Sequence, residues 1–249
     1  MSNRIAKKPM TCSVFSREYW SAAAKEVGST RSLVFAALIV AMRVVVKLFK
    51  IKLGAGLELS FDCYVNALGS IVYGPLMGLM VGAVSDTVGC AVEGFEGYFL
   101  PFILVEMSSS FIFGLFLWRR KLTVVRTIAS KFAVNLFCNI ILTSVFVKWS
   151  MYVMSGPEAA KAYNVINLVR IVKNLVLFPL EGVLIVVVLS AFMPALKSLK
   201  IVPKDQDDLV LKKKHIVFAV ICALVAVGLV LFYIFYLKDF ISAHNIKLF

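Results

Sequence analysis

The residues best suited to binding a polar ligand lie inside long apolar segments, where charged side chains are rare. Asp62, Asn66 and Asp86 fall within residues 60–89, two apolar stretches joined at Tyr73-Gly74-Pro75. A charged side chain at bilayer depth costs several kcal/mol, so one that is retained usually faces the interior of a helix bundle or a water-filled cavity. These residues predict a site that holds something polar within the membrane.

Polar side chains also recur in the other apolar segments. Lys131, Asn135, Asn139 and Thr143 follow at every fourth position and therefore share one helix face. Counted from the helix ends at ~1.5 Å per residue, polar groups of five predicted helices reach one level near the outer leaflet. That common depth predicts a pocket open to the outside. Its other members are Glu106 in the fourth helix and Arg170, Lys173, Asn174 and Glu181 in the sixth.

Each of these polar residues also has a purely structural interpretation. Lys131 and Lys173 could extend to the membrane surface along their aliphatic stems. Asn135 could join two helices through a hydrogen bond, and Asp86 could pair with a neighbouring Lys or Arg. The shared depth of the groups favours the pocket.

The composition is that of an integral membrane protein. Hydrophobic residues make up 61% of 249 residues and charged residues only 16%. The net charge is +13, but Lys and Arg alternate with apolar spans, which the positive-inside rule explains without a nucleic-acid partner. The five cysteines and two histidines lack metal-site or catalytic spacing, so we expect no metal, no cofactor and no enzymatic activity.

Apolar windows of helix length predict an all-α protein with seven membrane spans. The second window is short and is expected either to extend into residues 55–59 or to end against a cavity. Basic residues predominate on the side that holds the N terminus, which we therefore expect to be cytoplasmic. The windows are 32–46, 60–73, 76–92, 98–118, 124–147, 168–193 and 216–237.

Four regions follow from these windows. We expect residues 1–31 to form a basic cytoplasmic tail and residues 32–197 to form a six-helix bundle around the polar pocket. Residues 198–214 form a polar cytoplasmic linker, and residues 215–249 hold an additional transmembrane helix with a short tail.

Small residues at four-residue spacing mark two helix faces that allow close packing. Gly74, Gly78 and Gly82 predict an internal contact between helices. Ala37 and Ala41 in the first predicted span form a second such face, which could be internal or could receive a partner.

Four segments in this order resemble the substrate-binding (S) components of energy-coupling factor (ECF) vitamin transporters, and among them the folate-type family. The resemblance covers roughly residues 31–197. The segments are RSLVFAALIVAMRVVVKLF, with its alanine pair; LELSFDCYVNALGSIVYGPLMGLMVGAVSDTVG, with its Ser-Phe start and Gly-Pro turn; GYFLPFIL; and RIVKNLVLFPLEGVL.

The resemblance implies a subunit of a bacterial cell-membrane importer that captures a vitamin from outside. Such a subunit associates with a transmembrane coupling protein and two ATPase subunits, and reorients to release the ligand inside. Ala37 and Ala41 match the residues presented to the coupling protein, and residues 50–59 match a gate over the ligand. The candidate substrate-binding residues are Glu58, Asp62, Asn66, Tyr98, Asn139, Arg170, Lys173 and Asn174, of which Asn139, Lys173 and Asn174 match positions that line the family's pocket.

Two departures from the family pattern bear on the ligand. Folate-type members commonly carry a basic residue before Ser-Phe, whereas this chain has Glu58 there, and Asp62 follows. Folate carries two carboxylates, so these acids oppose it unless Arg170 and Lys173 compensate; another vitamin or a precursor is the alternative. The six-helix pattern also lacks the last predicted span.

Two other functional classes stay open from the residues alone. A secondary transporter would need an internal inverted repeat, and none is visible in the sequence. A structural subunit would carry no vitamin ligand. An enzyme acting on lipids is disfavoured because His215 and His244 lie outside the predicted bundle.

Overall fold

A computed structural model describes residues 13–54, 57–95, 98–163, 168–199 and 201–202, together with 221, 224, 225, 227–229, 231 and 232. The elements are α1 (Arg17–Val27), α2 (Thr30–Lys47), β1 (Lys50–Gly54), β2 (Leu57–Ser60), α3 (Asp62–Val92), a 3-10 turn (Leu100–Phe102), α4 (Ile103–Leu117), α5 (Val124–Val134), a π-helical segment (Asn135–Leu142), α6 (Thr143–Ser155), α7 (Pro157–Ala162) and α8 (Leu168–Ser198).

The described part of the chain has four helical stretches long and apolar enough to cross a membrane: Asp62–Val92, Leu100–Leu117, Val124–Ser155 and Arg170–Ser198. A fifth results if α1 and α2, which meet at a bend of 74°, count as one span. The protein is therefore a helical, multi-pass membrane protein. Most of the predicted linker and of the predicted seventh span lies outside the described residues.

Helix α3 breaks where the sequence predicts a junction between two helices. Gly74 has φ 77° and ψ −173°, which is not helical. Glycine adopts positive φ at low cost, and Pro75 has no N–H to continue the preceding helix. A Cβ at Gly74 would also come within 2.7 Å of the Trp118 ring.

The glycine face of α3 packs on α4, as the spacing predicts. A Cβ added at Gly82 would lie 2.7 Å from the Glu106 carbonyl oxygen and 2.8 Å from the Met107 Cα. The two backbones can approach this closely only because the side chain is absent. The predicted internal contact is confirmed.

Of the two alternatives for the second window, extension into residues 55–59 is wrong, and the helix instead begins at a cavity that Asp62 and Cys63 line. Helix α3 begins at Asp62, and β1 and β2 pair antiparallel before it, with Ile51 opposite Leu59 and Lys52 opposite Glu58. Hydrogen bonds between the two strands satisfy the backbone N–H and C=O groups that would otherwise bond within a helix. The segment that resembles a gate is thus a β-hairpin, the one sheet in the described part of an otherwise helical fold.

Part of the predicted N-terminal tail is a helix packed on the bundle. Ser16 caps α1, and its hydroxyl oxygen accepts a hydrogen bond from the Tyr19 backbone N–H. Tyr19 is buried, donates its hydroxyl proton to the Gly114 carbonyl at 3.3 Å, and meets the Trp118 ring edge-on. These contacts fix α1 against the C-terminal end of α4.

The main core lies between α3, α4, α5 with the π-helical segment, and α8. Its fully buried side chains include Tyr64, Phe113, Cys138 and Leu189, one from each of these parts. This core holds the polar faces of the same helices next to one another.

Candidate functional site

A cavity of about 360 Å³ lies beside the hairpin, between α3, α4, α5, the π-helical segment and α8. Five of the predicted site residues line it: Glu58, Asp62, Asn139, Lys173 and Asn174. The sequence-predicted polar level thus corresponds to a cavity. Its other lining residues are Ser60, Cys63, Val105, Glu106, Ser109, Lys131, Val134, Leu177 and Glu181.

A buried arginine from α2 holds the carboxylates on one wall of the cavity. Arg43 Nε donates to Asp62 Oδ1 at 2.8 Å and Arg43 Nη2 to Asp62 Oδ2 at 2.7 Å, while Nη2 also donates to Glu106. The arginine is 0% exposed. Two parallel N–H···O bonds fix both position and angle, so Asp62 enters the cavity as a compensated charge.

Sequence reasoning missed Arg43. The available signal was its position as an isolated arginine in the apolar run of the first predicted span. An arginine at that depth needs a carboxylate partner, and the predicted bundle helices offered four candidates: Asp62, Asp86, Glu106 and Glu181.

Lys47 continues this charge cluster one turn along α2. Its Nζ lies 3.5 Å from Asp86 Oδ1 and 3.6 Å from Glu106 Oε1. The alternative interpretation of Asp86, as an acid paired with a neighbouring cation, is therefore confirmed.

A second buried pair joins α5 to α8 on another part of the cavity wall. Lys131 Nζ lies 3.2 Å from Glu181 Oε2 and 3.5 Å from Cys63 Sγ, and the lysine is 2% exposed. Asn135 Nδ2 also donates to Glu181 Oε2, at 3.2 Å, and Asn139 Nδ2 donates to Asn135 Oδ1 at 3.1 Å. Lys131 therefore does not extend to the membrane surface but is held inside the bundle.

Lys131, Asn135, Asn139 and Thr143 form a polar stripe along one predicted helix face. The π-helical segment Asn135–Leu142, which has wider turns than an α-helix, covers part of this stripe. A π-helical insertion shifts the side chains that follow it around the helix axis, and such insertions occur frequently at functional sites. Asn135 and Asn139 thereby stay on the side that faces Glu181. Thr143, the last residue of the predicted stripe, instead donates to the Cys138 carbonyl at 2.7 Å.

A second set of charged and polar residues, separate from the two wall pairs, lies at the rim of the cavity. Lys173 and Asn174 line it from the start of α8, and the exposed Glu58 lines it from β2. Arg170 lies one turn before Lys173 on α8. Asn174 Nδ2 donates to the Arg170 carbonyl at 2.9 Å, within one turn of α8.

Three predicted site residues are absent from the described lining of this cavity: Arg170, which lies one turn before Lys173, and Asn66 and Tyr98. Asn66 is buried against α4, where its Nδ2 donates to Ser109 Oγ at 3.2 Å and its Oδ1 accepts from Ser110 Oγ at 2.8 Å. It joins two helices because the turn after Asp62 faces the α4 serines. Tyr98 precedes the 3-10 turn and lines a separate cavity with Phe95 and Phe99.

The predicted partner face lies on the outside of α2. Ala37 and Ala41 are exposed, as is Leu38 between them, whereas Ile39 and Arg43 on the other face are buried. Of the two possibilities left by the spacing, the structure therefore places this small-residue pair away from the core.

The cavity supplies charges, amides and hydroxyls for recognising a polar ligand. Among the described residues, no group of three His, Cys, Asp or Glu side chains is arranged to hold a metal ion.

Comparisons with known proteins agree with this geometry. Two curated relatives are both named folate transporter FolT. The one from Clostridium novyi (strain NT) is 25% identical over 129 residues, covering 52% of this chain and 70% of the relative. The one from Leuconostoc mesenteroides subsp. mesenteroides is 26% identical over 154 residues, covering 61% of this chain and 80% of the relative.

A crystal structure of FolT bound with folic acid matches the fold at a TM-score of 0.51 with 26% sequence identity, covering 62% of this chain and 88% of that chain. The family model described as "ECF-type riboflavin transporter, S component" matches residues 27–198. This stretch contains α2, the hairpin and every helix that lines the cavity. The chain therefore belongs to the family of transporter S components of the ECF type.

Proposed function

We propose that this chain is the vitamin-binding subunit of an ATP-driven importer and that its ligand is folate or a close relative. The observation that carries the proposal is the cavity between the hairpin and α8, whose wall acids Asp62 and Glu181 are each paired with a cation. Lys173 on the rim is then left to meet an acidic ligand. The relatives named as folate transporters support the same ligand.

The sequence presents two acids, Glu58 and Asp62, that oppose binding of the anionic folate. The pairing of Asp62 with Arg43 removes one of them. An unpaired carboxylate would repel the two carboxylates of folate, but Asp62 shares two hydrogen bonds with Arg43. A buried pair of this kind keeps its partners because separating them leaves an uncompensated charge. Glu58 on β2 is the remaining acid that opposes folate.

Riboflavin is the second candidate, because the matching family model carries it in its description. Riboflavin has no carboxylate and gains little from a basic rim. Lys173, with Arg170 one turn away, therefore favours folate over riboflavin.

We assign direct ligand contact to Glu58, Asp62, Asn139, Lys173 and Asn174, with Arg170 contributing charge from beside the rim. Asn66 has a supporting role through its hydrogen bonds to α4. The hairpin β1–β2 acts as the gate over the cavity.

We propose for this chain the assembly that its family resemblance implies. The bundle of six membrane helices spans residues 32–197 and is followed by a linker and a seventh helix, with the N terminus in the cytoplasm. A transmembrane coupling protein docks on Ala37 and Ala41, and two ATPase subunits bound to it drive release of the vitamin inside.

Binding to the purified full chain tests the ligand. Isothermal calorimetry with folate, riboflavin and a panel of water-soluble vitamins and precursors should give submicromolar affinity for folate without nucleotide. Bound ligand should also raise the thermal unfolding temperature. If no vitamin in the panel binds below micromolar concentration, the chain is a structural subunit or another kind of carrier and the proposal fails.

Coupling is tested by adding bulk to the exposed face of α2. The double variant Ala37→Trp with Ala41→Trp should abolish vitamin uptake into cells or proteoliposomes and leave vitamin binding unchanged, since both positions face away from the core. The double variant Val84→Trp with Val88→Trp, at the same spacing on an exposed face of α3, serves as the control and should leave both binding and uptake unchanged. Equal loss of binding and uptake would mean misfolding and would contradict the assignment.

A further inference from the structure

Helix α2 has two faces with different surroundings. Ala37 and Ala41 are exposed on one face, whereas Arg43 on the other face is fully buried. Lys47, one turn beyond Arg43, is mostly buried and contacts acids of α3 and α4. The same helix therefore presents the face assigned to a partner and sends two cations towards the candidate vitamin cavity.

The two cations reach the cavity through acids that line it. Arg43 forms two parallel hydrogen bonds with Asp62 and a further one with Glu106, and Lys47 Nζ lies 3.6 Å from Glu106 Oε1. Asp62 and Glu106 line the cavity, whereas Arg43 and Lys47 are not among its described lining residues. A ligand in the cavity can therefore act on α2 through these two carboxylates.

The buried apolar contacts of α2 are less specific in direction. They join two residues of α2 to three of α3: Ala36 and Ile39 to Tyr73, Met77 and Val81. Apolar contacts are non-directional, whereas two parallel bonds between a guanidinium and a carboxylate fix both position and angle. The orientation of the C-terminal part of α2 thus depends on where the cavity acids lie.

The same contacts close the base of the hairpin. Strand β1 begins at Lys50, shortly after α2 ends at Lys47, and β2 ends at Ser60, shortly before α3 begins at Asp62. The pair of Arg43 and Asp62 therefore joins the two helices from which the hairpin emerges. A shift of these side chains would move both the base of the hairpin and the helix that carries the alanine pair.

The charges of this cluster favour a further donor. In the described contacts three carboxylates, those of Asp62, Asp86 and Glu106, meet only the two cations of α2. A carboxylate oxygen accepts more than one hydrogen bond, so an N–H group of a ligand would add to the bonds from α2 and would not have to replace them. Bound ligand then stabilises the placement in which α2 is held.

We propose that Arg43 and Lys47 are positioning residues that couple occupancy of the vitamin cavity to the placement of α2, and with it of the hairpin and the alanine face. This coupling rests on the proposed function, since it requires a ligand in the cavity. It is reciprocal: a partner that docks better on one placement of α2 must change the affinity for the ligand by the same factor.

Hydrogen–deuterium exchange of the full chain in nanodiscs, with and without folate, tests the coupling. Folate should slow exchange of the backbone amides of residues 44–54, at the end of α2 and in β1, by about fivefold or more. Lys47→Gln removes the contact of the last turn of α2 with Glu106, and Arg43→Lys keeps the buried charge but loses the two parallel bonds. In both variants folate should still slow exchange around Lys173 at the rim, but its effect on residues 44–54 should be lost.

The matched control is Lys161→Gln, which removes an exposed cation on α7 and should behave like the unmodified chain. Loss of the effect on residues 44–54 with the rim still protected supports the proposal, because a general loss of stability would not separate the two regions.

Three results would overturn the coupling. In the first, folate protects the rim of the unmodified chain but not residues 44–54. In the second, both effects persist in Arg43→Lys and Lys47→Gln. In the third, both variants lose the two effects together, so that Arg43 and Lys47 act on folding or binding as a whole. Absence of protection at both places in the unmodified chain would instead refute folate as the ligand, and the coupling with it.

Discussion

The walls and the rim of the candidate vitamin cavity both carry acidic and basic residues. The wall residues are paired with one another, whereas the rim residues come from separate elements. On the walls, Arg43 holds Asp62, and Lys131 holds Glu181, in contacts from which solvent is almost excluded. On the rim, Lys173 and the exposed Glu58 come from separate elements, α8 and β2, at the cavity mouth. On our proposal, the wall charges build the cavity, whereas the rim charges select what enters it.

The sharpest way to break this comparison is to remove Arg43. Arg43→Met leaves Asp62 and Glu106 without their buried partner, and we expect a loss of about 4 kcal/mol in the free energy of unfolding. Thermal or denaturant unfolding of the detergent-solubilised chain measures it. The control is Arg43→Met combined with Asp62→Leu and Glu106→Leu, which should recover most of the stability. A stable Arg43→Met single variant would show that the wall charges are not structural.

Removing Lys131 should have a similar but smaller effect. Lys131→Met leaves Glu181 bonded only to Asn135 among the described side chains, and we expect a loss of about 3 kcal/mol. The same unfolding assay applies, with Lys131→Met plus Glu181→Leu as the matched double variant. If the single variant keeps its stability but loses vitamin binding, Lys131 belongs to the recognition group and the division between wall and rim is wrong.

On the rim the expected effect is on affinity and not on stability. Lys173→Gln removes the cation assigned to a ligand carboxylate, which should weaken folate binding by about tenfold with the unfolding temperature unchanged. Calorimetry on the purified chain measures this. Lys197→Gln, at the other end of α8, is the control. Equal weakening of riboflavin and folate would argue against a carboxylate contact.

The smallest expected effect has the opposite sign. Glu58→Gln removes the rim acid that opposes an anionic ligand and should strengthen folate binding by about threefold, mostly at low ionic strength because the residue is exposed. A titration at two salt concentrations checks it. Weaker binding in this variant would mean that Glu58 contacts a donor on the ligand.

Much of the site was predictable because its residues are polar in apolar surroundings. Asn139, Lys173 and Asn174 were identified in this way and line the cavity. Asn66 and Tyr98 carry the same sequence signal but lie elsewhere, since helix rotation decides whether a side chain meets the cavity or a neighbouring helix. Arg43 was missed because the outward-facing Ala37 and Ala41 dominate the pattern of the same helix.

The sequence by itself determined the membrane class, the break at Gly74-Pro75 and the close packing of the glycine face of α3 against another helix. These depend on local hydropathy, on backbone conformation and on the absence of side chains, which the residue types specify directly. Only the tertiary structure decided which charges meet. Arg43 lies 19 residues from Asp62 and 63 from Glu106 along the chain, and their pairing depends on the rotation and depth of three packed helices.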